Sequence, residues 1–228
     1  SFPMKEEPQP YRMSRRRLIR ASSLYLASRL LALRRPLIPM SSWSLAFSFG
    51  ESRGETGAWQ YWSPERIAQV TGCPASNIRE DWPLIHAALL RQKADSRNNQ
   101  AAAIATVAIE TASTFKPVRE AFWMSENWRR ANLRYYPGYG RGYIQLTWID
   151  PNYINAGNYI GVDLKNNPDR AMEPAIAAAV FAWYWTVARP GIPGWAEARN
   201  LREVRKAVQG GDAGLDRLIQ ICHHLLDT

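Results

Sequence analysis

Two carboxylates ten positions apart, Glu110 and Glu120, stand in chemically unlike surroundings. Glu110 follows the apolar run Ile104 to Ile109, where burial disfavours the charged form and raises the pKa, the condition a general acid needs. Glu120 follows Arg119 and precedes Arg129, Arg130 and Arg134, cations that favour an ionised carboxylate. Cleaving a glycosidic bond uses such a pair: one protonated carboxyl donates to the leaving oxygen, and a carboxylate activates water or attacks directly. In one unbroken helix the spacing would part the two by about 15 Å along the axis and put them on different faces. Pro117 prevents this, because it cannot continue a helix and drives Lys116 out of helical geometry. A turn around Thr114 to Lys116 lets Glu120 come from a second segment and face Glu110 across a cleft, at about the 6.5–9.5 Å that an inverting hydrolase uses.

The segment Tyr135 to Trp148, YYPGYGRGYIQLTW, supplies further chemistry. Its glycines permit close backbone approach, and Arg141 can hold a carboxylate. If Tyr143 to Trp148 form a short strand, Gln145 and Thr147 share one side of it, where they can position a water and a sugar. Trp123, Trp128, Tyr135, Tyr136, Tyr139 and Trp148 are candidates to stack on sugar rings. The chain carries ten Trp and ten Tyr, amphipathic side chains suited to a surface that grips a ligand while staying wet.

Other reactive side chains point to less. His86, in PLIHAALL, reads as a packed or surface histidine. Cys222, His223 and His224 resemble a metal cluster, yet adjacent histidines on a helix diverge and no second ligand pair exists, so no metal is expected. Cys73 and Cys222 can form at most one bridge, and disulfides are not the framework.

At 228 residues and 46% hydrophobic content the chain accommodates one sizeable core plus an appendage. Residues 1 to 60 hold ten Lys/Arg against four Asp/Glu, including eight arginines and no acid between Arg12 and Arg35. This stretch reads as a basic tail and linker that would be drawn to a polyanion or an anionic membrane. Ala21 to Leu33 resembles a weak export signal, but Arg29 interrupts it and no small-residue cleavage site follows. No stretch is long and apolar enough to span a bilayer. Residues 61–228 form the candidate catalytic domain, and order is expected from Ser63, where Ser-Pro-Glu-Arg offers a cap and a proline at the first helical position. Helices are expected to about Val70, after Trp82-Pro83, over Ala101 to Ala112, from about Val118 to Leu133, and from about Glu173 to Val187. A loop through Gly191 to Gly194 then leads to two terminal helices separated by Gly210-Gly211.

The run GRGYIQLTW, followed by Asn152-Tyr153 and later by DLKNNPDRAMEPAIAAAVFAWYW, resembles the signature of glycoside hydrolase family 19, the chitinases and phage or bacterial endolysins. ATVAIETASTFKPVREAF is similar to the acid-bearing part of the endolysin-type members. The resemblance covers about residues 62 to 228 and implies a mainly α, lysozyme-like α+β fold, two helical lobes around a catalytic cleft with a small strand region. It implies Glu110 as general acid, with Ile109 in place of the common histidine, and Glu120 as second carboxylate. Thr147 matches the Ser/Thr that helps hold the attacking water, while Gln145, Tyr143 and Asn152 match substrate-groove positions. Asp150-Pro151 lengthens the link to Asn152 by one residue. AVQGGDAGLDRL matches the family's Asn-Gly-Gly segment, with Gln209 for the usual asparagine, and makes Arg217 the buried arginine that supports the acid. Two cysteines cannot supply the disulfides of plant-type members, which favours the phage or bacterial branch.

The resulting expectation is an endolysin-like muramidase that hydrolyses β-1,4 bonds of peptidoglycan with inversion, through Glu110, Glu120 and Thr147, its groove lined by Tyr136, Arg141, Tyr143, Gln145, Trp148 and Asn152. No cofactor, no specific nucleic acid and a monomer are expected. Synthesis in a host cytoplasm and action in the periplasm or at the cell wall go with that reading. A chitinase of the same family is the alternative, and a non-catalytic glycan-binding protein is the alternative of another class, against which the retention of both glutamates argues.

Overall fold

The computed structural model describes residues 57–227, so the arginine-rich tail and the weak export-like segment lie outside the described residues. The first helix, α1 (Pro64–Thr71), starts as its sequence predicts: Ser63 Oγ accepts from the Arg66 N–H at 3.2 Å and Pro64 opens the first turn. The second, α2 (Ala75–Arg91), begins a full two turns before the Trp82-Pro83 step expected to initiate it. Pro83 forfeits a hydrogen bond and crowds the preceding turn, at a cost of about 3 kcal/mol. Ile78, Trp82, Ile85 and Leu89 lie on one helical face and are all fully buried, and each contributes about 2 kcal/mol by leaving water. Packing therefore carries the helix through the proline.

The central element is α3 (Arg97–Glu110). It starts four residues ahead of the expected Ala101, because Ser96 caps it by accepting from the Asn99 N–H at 3.3 Å. Every residue from Asn99 to Ala108 is buried, as an alanine-rich stretch without an apolar stripe requires. Small side chains let neighbours come close on all sides, and α9 (Leu215–Leu226) packs along α3 while α2 packs along α6 (Pro174–Trp183). Trp185, in the wider turn Tyr184–Ala188 after α6, donates its indole N–H to Asn99 Oδ1 at 3.0 Å.

The helix expected over Val118 to Leu133 is not formed as one piece. Its first residues are β1 (Val118–Arg119), paired antiparallel with β2 (Arg141–Gly142) in the register Val118 to Gly142 and Arg119 to Arg141. Only Glu126–Asn132 is helical (α4), capped by Ser125, whose Oγ accepts from the Trp128 N–H. The expected strand Tyr143 to Trp148 is also absent. Gly142 (φ 81°) turns the chain, Gln145 adopts a left-handed φ of 53°, and Leu146 doubles back to exchange hydrogen bonds with Arg141. A Cβ at position 142 would sit 3.0 Å from the Ala171 carbonyl, so glycine is required there for both reasons.

The remaining helices are α5 (Ile154–Ile160), α7 (Ile192–Glu197) and α8 (Leu201–Gln209). The segment expected as a Pro/Gly loop forms α7, with Pro193 tolerated in its first turn. Gly210, in the left-handed region, ends α8 where the Gly210-Gly211 break is expected. Among the described residues no helix is long and apolar enough to cross a membrane. Cys73 and Cys222 are buried free thiols, and His86 is packed inside at 3% exposure.

Candidate active site

Glu110 is the last residue of α3, and its side chain is 13% exposed. Burial raises its pKa above the ordinary carboxylate value, and Arg205 pulls it partway back. Arg205 Nη1 meets Glu110 Oε1 at 2.5 Å, and Arg205 Nε donates to the Ala213 carbonyl, so the guanidinium is fixed. The resemblance assigned this supporting role to Arg217. The structure corrects that: Arg217 Nη2 donates to the Thr71 carbonyl at 2.9 Å and to Ser113 Oγ at 2.7 Å. Arg205 was legible in principle, since it shares the buried face of α8 with Leu201 and Val204, and an arginine on an apolar face demands a partner.

The bend after Glu110 is strongly determined. Ala112, Ser113 and Phe115 all have left-handed φ values of 50–64°, each costing on the order of 1 kcal/mol for a residue with a Cβ. Opposing this, Phe115 is fully buried and its N–H donates to Thr111 Oγ1 at 3.0 Å. Thr114 Oγ1 donates to the Thr111 carbonyl at 2.9 Å, and the Asn77 amide donates to the Thr114 carbonyl at 2.8 Å. Lys116 pairs with Asp81 at 3.0 Å and with Glu80. The break predicted from Pro117 is thus a built corner, and Arg217 serves it through Ser113.

Glu120 leaves the end of β1. Its N–H donates to the Gly140 carbonyl at 2.7 Å, and the Gly140 N–H donates to Glu120 Oε2 at 3.0 Å. Tyr135 donates its hydroxyl to Glu120 Oε1 at 2.6 Å. The carboxylate is therefore oriented by two neutral donors. Of the arginines expected to hold it ionised, Arg129 instead binds the main chain, donating to the carbonyls of Glu120 (2.8 Å) and Ala121 (2.9 Å). Tyr135, read as a stacking aromatic, is a hydrogen-bond donor to the second carboxylate, a role that no local pattern announces.

Two expected groove residues are interior. Arg141 is 3% exposed; its Nε binds Asp169 at 2.7 Å and its Nη1 donates to the carbonyls of Pro137 and Tyr139 and to Tyr153 Oη. It closes the base of the Tyr135–Gly142 loop, and only a sliver of it reaches the groove lined by Tyr136 and Asp169. Tyr143 is fully buried beside Asp81, which burial pushes up and the tyrosine hydroxyl lowers. Its ring serves packing. Tyr139 is likewise fully buried and cannot stack on a sugar.

Gln145 is partly buried, and its amide donates to the carbonyls of Val118 (2.9 Å) and Gly142 (3.1 Å), one on each strand of the ribbon. It braces the support of Glu120. Thr147 is partly exposed, and its carbonyl accepts from the Asn152 amide at 2.8 Å, so the two positions are joined despite the extra residue at Asp150-Pro151. Trp148 is 43% exposed and its ring lies 5.1 Å from that of Tyr135. Tyr136 lines an open groove of about 350 Å³ with Glu126, Asn167 and Asp169; neither Glu110 nor Glu120 lines it. Phe122 and Trp123, just past Glu120, form an edge-on exposed pair.

The chitinase class I family profile matches residues 86–198, a span that contains both carboxylates, the ribbon and Thr147. Basic endochitinase B of Arabidopsis thaliana is 44% identical over 70 residues, 30% of this chain and 20% of the relative. Endochitinase EP3 of the same plant is 39% identical over 99 residues, 40% of this chain and 36% of the relative. The chain thus spans only about a fifth to a third of the length of these relatives. A crystal structure of a chitinase C shares the fold at 22% identity and a TM-score of 0.52, covering 72% of this chain and 90% of that one. A mainly helical fold with one two-stranded ribbon and a buried acid at the end of the central helix agrees with the signature read from the sequence, and the chain belongs to glycoside hydrolase family 19.

Proposed function

We propose that this protein hydrolyses β-1,4 bonds between N-acetylated amino sugars. Glu110 protonates the leaving oxygen, and Glu120 deprotonates a water that the Thr147 hydroxyl helps to hold. Water then attacks from the face opposite the leaving group, so the product anomer is inverted. The observation that carries this reading is the setting of Glu110, a carboxyl at the end of a helix buried from Asn99 to Ala108, its pKa raised by burial and pulled partway back by one arginine. Chitin is the substrate class named for the relatives. Peptidoglycan, with the same backbone linkage and added carboxylates, is the second reading, favoured by the arginines considered next.

The test is hydrolysis of a chitin hexasaccharide and of purified peptidoglycan by the wild-type chain and Glu110→Gln, with the anomer followed by NMR. Loss of about three orders of magnitude or more on Glu110→Gln, with an inverted product from the wild type, is expected. Activity unchanged in Glu110→Gln would refute the mechanism, and binding without cleavage by the wild type would make this a glycan-binding protein.

A further inference from the structure

Beside Glu120 lies a rim of arginines laid over aromatic rings. Arg130, on α4, and Arg134, just past it, are both exposed. The Arg134 guanidinium carbon stands 5.6 Å from the centre of the Trp148 ring. That of Arg130 stands 5.3 Å from the Tyr136 ring, and its Nη2 donates to the Tyr136 hydroxyl at 3.3 Å. The Trp148 ring in turn lies 5.1 Å from Tyr135, whose hydroxyl holds Glu120. Arg134 is therefore linked to the second carboxylate through Trp148 and Tyr135.

Among the described residues neither arginine has a carboxylate within ion-pair distance. Their neighbours differ: Arg129 binds Glu126, Arg141 binds Asp169 and Arg205 binds Glu110. Cation–π contact steadies a guanidinium without using its N–H donors, and apart from the one that Arg130 gives to Tyr136 no hydrogen bond occupies them among the described residues. A neutral chitin chain gains most from bare ring faces. At Trp148 and Tyr136 a guanidinium overlies the ring, so the rim offers planar pairs of donors suited to carboxylates.

Building on the glycosidase reading above, we infer that Arg130 and Arg134 form a carboxylate-recognition site that makes this cleft selective for acidic amino-sugar polymers. Peptidoglycan, with its lactyl and peptide carboxylates, is the chemical type, and neutral chitin is discriminated against.

The experiment compares the wild type with the double variant Arg130→Gln/Arg134→Gln on purified peptidoglycan and on a chitin hexasaccharide, each at several salt concentrations. For the variant, kcat/KM on peptidoglycan falls about tenfold further than on the neutral oligomer at low salt, and its salt dependence flattens. An equal fall on both substrates, or no fall on peptidoglycan, overturns the inference. So does a wild type that cleaves the oligomer but not peptidoglycan, a result that leaves the glycosidase reading standing. Cleavage of neither by folded protein removes both.

Discussion

Arg205 and Glu110, ninety-five positions apart in sequence, meet at 2.5 Å with both side chains nearly out of solvent. Two opposed effects act on the acid, burial raising its pKa and the guanidinium lowering it, and burial is the larger. The pair thus sets the pH range over which Glu110 carries its proton.

The sign of the arginine's effect is testable. An acid must be protonated to act, so activity falls as pH rises through its pKa. Arg205→Met removes the lowering influence, and the alkaline limb of kcat/KM against pH moves upward. Arg205→Lys keeps the charge and leaves the limb near that of the wild type. Denaturant unfolding at neutral pH should show Arg205→Met less stable by about 3 kcal/mol, a cost that shrinks in acid where Glu110 is neutral. A downward or absent shift of the limb would contradict this account.

Tyr135→Phe deletes the hydrogen bond to Glu120 Oε1 and little else, because the ring remains. A hydrogen bond to a charged group contributes about 1.5–3 kcal/mol, so kcat should drop by about 10- to 100-fold with KM nearly constant. Steady-state kinetics on a chitin oligomer decide it. An unchanged kcat would mean that the hydroxyl does not orient the carboxylate.

A Cβ at Gly140 would sit 2.7 Å from Gln145 Oε1. Gly140→Ala must displace the amide that braces both strands, with a loss of about 1–3 kcal/mol and of activity. Gly211→Ala, whose Cβ would find only Gln209 Oε1 at 3.6 Å, is the control and should stay within about 0.5 kcal/mol. Thermal melts of the two variants check the contrast.

The two thiols are buried and unbridged. Reductant should leave the melting temperature unchanged. Burial pushes the Cys222 thiol up to about 12, so its thiolate is scarce and a thiol reagent should label it only on unfolding. Rapid labelling of Cys222 in the native protein would refute its burial.

Much of this site was readable because its signals are local. An alanine-rich run ending in Glu110 and a proline seven residues on are enough to predict a buried acid followed by a corner, and the structure has both. Capping at Ser63 and the stop at Gly210 are equally local. The misplaced side chains share one cause: each needed a long-range contact. Arg141 and Tyr143 sit in a glycine-rich, aromatic segment that looks like a ligand surface, but Asp169 on one side and Asp81 on the other draw them inward. Arg217 and Arg205 are both arginines near the C-terminus, and only the packing of α8 against the end of α3 distinguishes them. The strand expected at Tyr143 to Trp148 has the right alternation, yet Gly142 and Gln145 adopt left-handed backbone that ends it at once.

The corner from Thr111 to Pro117 is also a spacer. It joins a helix locked in the interior to a ribbon of two residues per strand, so its length sets the gap between the reacting groups. One residue gained or lost there can displace Glu120 by up to about 3.5 Å, comparable to the difference between a gap that admits a water and one that lets the carboxylate attack the sugar itself. With Glu110 and Glu120 in the roles proposed for them, the stereochemical outcome would be governed by a short connector that contributes no reacting atom.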